Sequence, residues 1–302
     1  MSTSRSRRIG LALGSGSARG WAHVGVIRAL EEAGIRPDLV CGTSVGSLVG
    51  AAYVAGELDR FERWVLGMRM KDVVRFMDLS LSGGVLKGER VMDFFQRNFV
   101  DRSIEALPMP FGAVATSLQT GAEVWLREGS TVDAVRASIA LPALFTPVLR
   151  DGMTLVDGGL VNPVPVSLAR AMGADFVIAV DLGSDKIGSH LSAKAHAHSP
   201  DSLLGEWKRK LRETMGGHLP EDSAGKRKLP SLHEVLFSSI DIMQTQIART
   251  RLAADPPDVV VSPRLAHLHL LDFHRAKEAI EEGRSAVKAA MQKLRELGDQ
   301  PS

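Results

Sequence analysis

A candidate nucleophile stands at Ser44, where Gly42-Thr43-Ser44-Val45-Gly46 fits the pattern G-x-S-x-G. A serine on a sharp strand-to-helix turn projects its hydroxyl clear of the sheet, and the flanking glycines let strand and helix pass close to it. The helix N-terminus beneath such a serine favours developing negative charge. The chemistry this suits is acyl transfer, with the hydroxyl attacking a carbonyl carbon. DLVC before the motif is strand-like and VGSLVGAAYVA after it is helix-like, as that geometry requires. The plain alternative is a small-residue turn that serves only packing. A serine hydroxyl is a poor nucleophile without a base, and histidine is the usual one. Of the nine histidines, His190, His196, His198 and His218 lie in an irregular stretch, a poor platform for a rigid base, and His233 comes just after it. His267, His269 and His274 lie near the C-terminus, where one could complete a Ser-His-Asp order, and His23 reads as structural.

Asp157-Gly158-Gly159 offers a carboxylate instead. It ends the strand-like TLV and precedes Asn162-Pro163. A carboxylate at a strand end points into the crevice where open α/β sheets place their sites. Asp151-Gly152, the same dipeptide a few residues earlier, reads as a plain hairpin turn.

The third constellation is GSGSARG (14–20), between a strand-like and a helix-like segment. Such a loop can grip nucleotide phosphates, stabilise an oxyanion, or simply turn. A dinucleotide fingerprint from Gly14 and Gly16 needs a third glycine at position 19, where Arg19 stands, and an acidic residue at the end of the second strand, where DLVC runs into Gly42. A phosphate loop of the G-x-x-x-x-G-K-[ST] type has no match either. What remains is a run of backbone N–H groups at a helix N-terminus beside a candidate nucleophile, as an oxyanion hole requires.

The elements that must position these groups alternate between strand and helix. Strands are predicted at 9–13, 38–42, 109–118, 122–128 and 175–183, with a hairpin turn and a further strand within 148–159, and helices at 19–34, 45–56, 131–140 and 164–173, with a further helical region around FERWVLGMRM and VMDFFQRNF. This predicts an α/β fold, a mainly parallel central sheet flanked by helices in three layers. The first eight residues are expected to be disordered. Residues 184–230 break the pattern as a polar, mobile insertion. A helix (231–253), a strand that rejoins the sheet (258–263) and a long amphipathic helix (272–297) close a single domain over 9–302.

Composition narrows the function classes. The 302 residues carry a formal net charge of +2, which gives no global electrostatic case for nucleic acid. The single cysteine, Cys41, excludes an internal disulfide. IGLAL after the basic start is too short for a signal-peptide core, and no stretch approaches 18 apolar residues. A soluble, cytoplasmic protein is expected, with neither metal nor cofactor. Within 186–230, nine Lys/Arg stand against five Asp/Glu. There LLGEWKRKLR (203–212) gathers Leu203, Leu204, Trp207 and Leu211 beside four basic residues, which suits peripheral contact with an anionic membrane face, a linker helix packed on the body, or a disordered stretch.

GSGSARG (14–20), GTSVG (42–46) and DGG (157–159), in this order and at this spacing, together resemble the patatin-like phospholipases. SARGWAHVGVIRALEEAGI, ASIALPALFTPV and LVDGGLVNPVPVSLARAMGAD are similar to the bacterial branch related to neuropathy target esterase. The resemblance implies a patatin-like domain hydrolysing phospholipid or lysophospholipid esters through a Ser-Asp dyad and an acyl-serine. Carried over, Ser44 is the nucleophile, Asp157 its base, and Gly16 and Ser17 the oxyanion donors. Gly14, Ser15, Arg19, Gly20, Gly42, Gly46, Gly158 and Gly159 shape the three motifs. The family's glycine triplet falls on Ser15, Gly16 and Ser17, so a positive φ at either outer position would strain a serine. Arg19 orients the loop, contacts an anionic head group, or forms a surface ion pair. A non-catalytic regulatory or lipid-binding module on the same fold and a Ser-His-Asp esterase are the alternatives.

Overall fold

The computed structural model describes residues 7–76, 87–142, 144–186 and 232–299. The apolar runs of the sequence become strands of one sheet: β1 (Ile9–Leu13), β2 (Leu39–Thr43), β3 (Phe111–Ser117), β4 (Glu123–Leu126), β5 (Val148–Arg150), β6 (Met153–Asp157), β7 (Phe176–Val180) and β8 (Val259–Val261). Traced through hydrogen-bonded neighbours they run β5-β6-β3-β2-β1-β7-β8, with β4 also paired to β3. Strands β3, β2, β1, β7 and β8 run parallel, while β4, β5 and β6 pair antiparallel. Every residue of β2 and β3 is buried. Helices on both faces cause this, and it explains why these strands read as continuous apolar runs rather than alternating ones.

Helices α1 (Ala22–Glu32), α2 (Val45–Val54), α3 (Leu58–Gly67), α4 (Met70–Phe76), α5 (Glu89–Asn98), α6 (Thr131–Ser138), α7 (Val166–Ala171), α8 (Leu232–Ala254) and α9 (Ala276–Asp299) surround the sheet. The core divides accordingly. Leu11, Leu13 and Val40 face a large cluster with α1, α2, α3, α5 and α9, whereas Ala12, Leu39, Cys41 and Val177 face a smaller one with α7 and Ala248 of α8. Trp21, Phe61, Trp64, Phe95 and Phe99 pack edge to face and tilted at centroid separations of 5.4–6.3 Å within the large cluster.

The three-layer α/β architecture is the expected one, and β8 does rejoin the sheet beside β7. Three boundaries differ. The helix expected from Arg19 opens with a 3-10 turn, Ser17–Trp21, before α1 begins at Ala22. The helix expected over 272–297 opens with another, Phe273–Arg275. The disorder expected over 1–8 does not hold at Arg8, whose N–H donates to Asp175 Oδ2 (2.9 Å) and whose carbonyl accepts from Asp175 and Phe176, while 1–6 lie outside the described residues. Ser184–Lys186 forms a short turn, and the rest of the expected insertion, with 203–212, lies outside the described residues.

Candidate active site

β2 ends at Thr43 and α2 begins at Val45, so the chain must reverse direction at Ser44 alone. Its φ of 56° and ψ of −128° lie where L-residues are strained. Three contacts hold it there. The Ser44 N–H donates to Ser138 Oγ (2.9 Å), Ser138 Oγ donates onward to the Val114 carbonyl (2.6 Å), and Ser47 Oγ donates to the Ser44 carbonyl (2.6 Å). The glycines of the motif have a steric cause. A side-chain carbon on Gly42 would run into the backbone of Gly46, and one on Gly46 into the carbonyl of Leu13.

Asp157 reaches Ser44 through strand register. β2 pairs with β3 up to Thr43 opposite Val114, and β6 pairs with β3 down to Asp157 opposite Ala115. Val114 and Ala115 also pair with Trp125 and Val124 of β4, which therefore occupies the opposite edge. Hence β2 and β6 lie on one edge of β3 and meet end to end at neighbouring positions. The result is a hydrogen bond from Ser44 Oγ to Asp157 Oδ2 at 2.6 Å. Asp157 Oδ1 accepts from the Gly159 N–H (2.7 Å), its N–H donates to Ala140, and its carbonyl accepts from Thr116 Oγ1. Gly158 packs directly against the Val114 carbonyl. Asp157 is fully buried. Burial pushes its carboxyl up to about 6, against the lowering pull of the Ser44 and Gly159 hydrogen bonds. A buried carboxylate in contact with a hydroxyl is placed to take its proton.

No histidine donates to or accepts from Ser44 or Asp157 among the described residues. His23 is buried and bonds the Gly14 carbonyl (2.7 Å), with burial lowering its pKa to about 4. His267 lies 3.8 Å from Glu278. His190, His196, His198, His218 and the side chain of His233 lie outside the described residues.

The 14–20 loop lies across the C-terminal end of β1. The Gly14 and Ser15 N–H groups donate to Val180 and Pro163, and Ala18 N–H to Leu270. The Gly16 and Ser17 N–H groups have no acceptor among the described residues, and both residues line the cleft with Ser44. Ser17 does take a positive φ, 52°. Its hydroxyl donates to the Leu270 carbonyl (2.6 Å), a bond glycine could not make, which offsets the strain. Gly20 packs on the Val45 side chain and seats the loop against the start of α2. Arg19 is 6% exposed, so the surface ion pair is corrected: Nε donates to the Leu268 carbonyl (2.9 Å) and Nη1 pairs with Asp241 Oδ1 (3.3 Å). It braces the loop from behind and does not line the cleft.

Sequence motifs did not mark Ser138, Asp241, Gln244 or the Leu270 carbonyl, although all touch the site residues. Ser138 sits in an ordinary amphipathic helix, and Asp241 and Gln244 come from α8, far along the chain. Ser15 Oγ donates to Gln244 Oε1 (3.3 Å). The cleft above Ser44 spans about 1080 Å³, its solvent-open mouth included. Its walls are apolar side chains from α2 to α5, the 139–145 segment, α8 and 270–273, and its polar side chains are Ser17, Ser44, Asp241 and Gln244. No described helix is long and apolar enough to cross a membrane, and no group of three or more potential metal ligands occurs among the described residues.

A family model of patatin-like phospholipases matches residues 11–170. An uncharacterised NTE family protein of Mycobacterium tuberculosis is 33% identical over 99% of this chain and 95% of its own length. Human patatin-like phospholipase domain-containing protein 6 is 38% identical over 66% of this chain, which corresponds to 14% of that protein. Among solved structures, VipD from Legionella pneumophila shares the fold with a TM-score of 0.59 at 15% identity, over 97% of this chain and 67% of VipD.

Proposed function

The chain belongs to the patatin-like phospholipase family, a family of lipid hydrolases, and on that premise we propose that it is a serine acyl-hydrolase of phospholipid or lysophospholipid esters working through a Ser44–Asp157 dyad. The 2.6 Å bond from Ser44 Oγ to Asp157 Oδ2, at the floor of an apolar cleft, carries this reading. The acyl chain lies along the apolar walls. Ser44 Oγ bonds to the ester carbonyl carbon as its proton passes to Asp157. The carbonyl oxygen, now an oxyanion, accepts from the Gly16 and Ser17 N–H groups. The C–O bond to the alcohol then breaks, and Asp157 returns the proton to the departing alcohol. Water enters, gives a proton to Asp157 and its oxygen to the acyl carbon. The acyl–Oγ bond breaks, the proton returns to Ser44, and the fatty acid leaves.

A carboxylate near pKa 6 is a weak base for a hydroxyl, so positioning and oxyanion stabilisation must supply much of the rate. The hydrogen bonds on Ser44, Asp157 and the loop supply the rigidity this needs. A fluorophosphonate probe is expected to label the wild-type chain and to leave Ser44→Ala unlabelled. Equal labelling of both would overturn the assignment.

A further inference from the structure

α8 contributes a side chain to the site that the acyl-transfer steps do not use. Gln244 lines the cleft, and its Oε1 accepts from Ser15 Oγ (3.3 Å). Its Nε2 has no acceptor among the described residues. The amide lies directly over the DGG turn: a side-chain carbon built on Gly159 would sit 2.5 Å from Gln244 Nε2 and 2.9 Å from Asp157 Oδ1. Glycine at 159 therefore makes room for this amide beside the carboxylate.

The stereochemistry of acyl transfer gives that position a meaning, one that rests on Ser44 and Asp157 acting as nucleophile and base. At a carbonyl attacked by Ser44, three groups must find three directions. The oxyanion points to the Gly16 and Ser17 N–H groups. The acyl chain lies along the apolar walls. The alcohol oxygen must face Asp157, which protonates it on departure. The alcohol half therefore lies over Gly158 and Gly159, and the polar side chain there is Gln244. We infer that Gln244 is a substrate-contacting specificity residue: Nε2 donates to an oxygen of the alcohol half beyond the scissile bond. The substrates it favours are acyl esters of an oxygen-bearing alcohol such as glycerol. The Ser15 hydroxyl, holding Oε1, turns the donor end of the amide away from the loop.

The test compares two esters of one acyl chain, a 1-acylglycerol and a p-nitrophenyl ester, whose leaving group has no neighbouring hydroxyl. Gln244→Met keeps the side-chain length and loses both donors, and Gln244→Ala serves as a second variant. Both are expected to lower kcat/KM on the acylglycerol about tenfold while changing it less than about twofold on the nitrophenyl ester. The rate of fluorophosphonate labelling at Ser44 is expected to stay at the wild-type value. Equal losses on both esters, or an unchanged acylglycerol rate, would overturn the role of Gln244 while labelling still supports Ser44. A wild-type chain that takes no label would overturn the acyl-serine reading, and the role of Gln244 with it.

Discussion

Strand β6 carries the dipeptide Asp-Gly at both ends, and the two copies have opposite fates. Asp151-Gly152 closes the β5–β6 hairpin. Asp151 takes a positive φ of 51°, Gly152 one of 75°, and the Asp151 side chain is 79% exposed, 3.5 Å from Arg150. Asp157-Gly158 ends the strand where β2 also ends. Asp157 is fully buried, its φ is −49°, and its carboxylate holds Ser44 and Gly159. One dipeptide makes a solvated turn and the other a candidate base. The cause is the neighbour at the strand end: open water for Asp151, the terminus of a second strand for Asp157.

The sharpest way to break that contrast is to remove the charge at each end in turn. Asp157→Asn is expected to lower ester turnover by about 10⁴-fold or more, while Asp151→Asn, in a turn position asparagine tolerates, leaves it unchanged. Initial rates with purified variants decide it, and comparable losses would erase the distinction. Next in size is pH dependence. Because burial raises the Asp157 carboxyl to about 6 and the base must be ionised, the rate should rise along a limb centred near pH 6 and level off above it. Below the midpoint it should fall about tenfold per pH unit. A profile flat from pH 4.5 to 8 would show that Asp157 is not the group titrating.

The smallest effect concerns stability, and its sign opposes that of activity. The folded chain holds the Asp157 proton more tightly than an unfolded chain, where the carboxyl titrates near 3.8. Stability is therefore lost as pH rises from about 4 through about 6, and the deficit persists above. At pH 7.5, Asp157→Asn should be more stable than wild type by an amount on the order of 2 kcal/mol. The two should converge near pH 3.5, whereas Asp151→Asn should stay within about 0.5 kcal/mol at both. Denaturant unfolding at the two pH values measures this.

Much of the architecture was legible because its causes are local. Apolar runs such as DFVIAV, set between helices of helical spacing, are what a sheet covered on both faces requires. Ser44 was legible as a candidate from its strand-to-helix turn, which restricts residue type, while Asp157, Gly16 and Ser17 became candidates through the resemblance that the three ordered motifs carry. The rest depends on groups with no such restriction. Ser138 makes its two bonds from the last residue of an amphipathic helix, where serine is unremarked. Gln244 and Asp241 reach the cleft because α8 lies against the DGG turn, a tertiary fact that helical periodicity does not encode. The Leu270 carbonyl, which meets Ser17, is a backbone group that any residue supplies. Strand order was equally hidden: nothing in FGAVATSL shows that β3 runs past the end of β2 and so leaves an edge for β6.

That overhang has a consequence for tolerance to error. Ser44 and Asp157 are brought together by where two strands stop along a third, so their separation is counted in residues before it is measured in ångströms. A slip of one residue between β6 and β3 would not lengthen the Ser44–Asp157 bond a little. It would turn the carboxylate to the far side of the sheet. The β6–β3 ladder, the Thr116 hydroxyl on the Asp157 carbonyl and the Asp157 N–H on Ala140 act as the stops of a ruler. An insertion in β6 should therefore switch the site off outright, while one in the Asp151 turn, outside the stops, should leave it running.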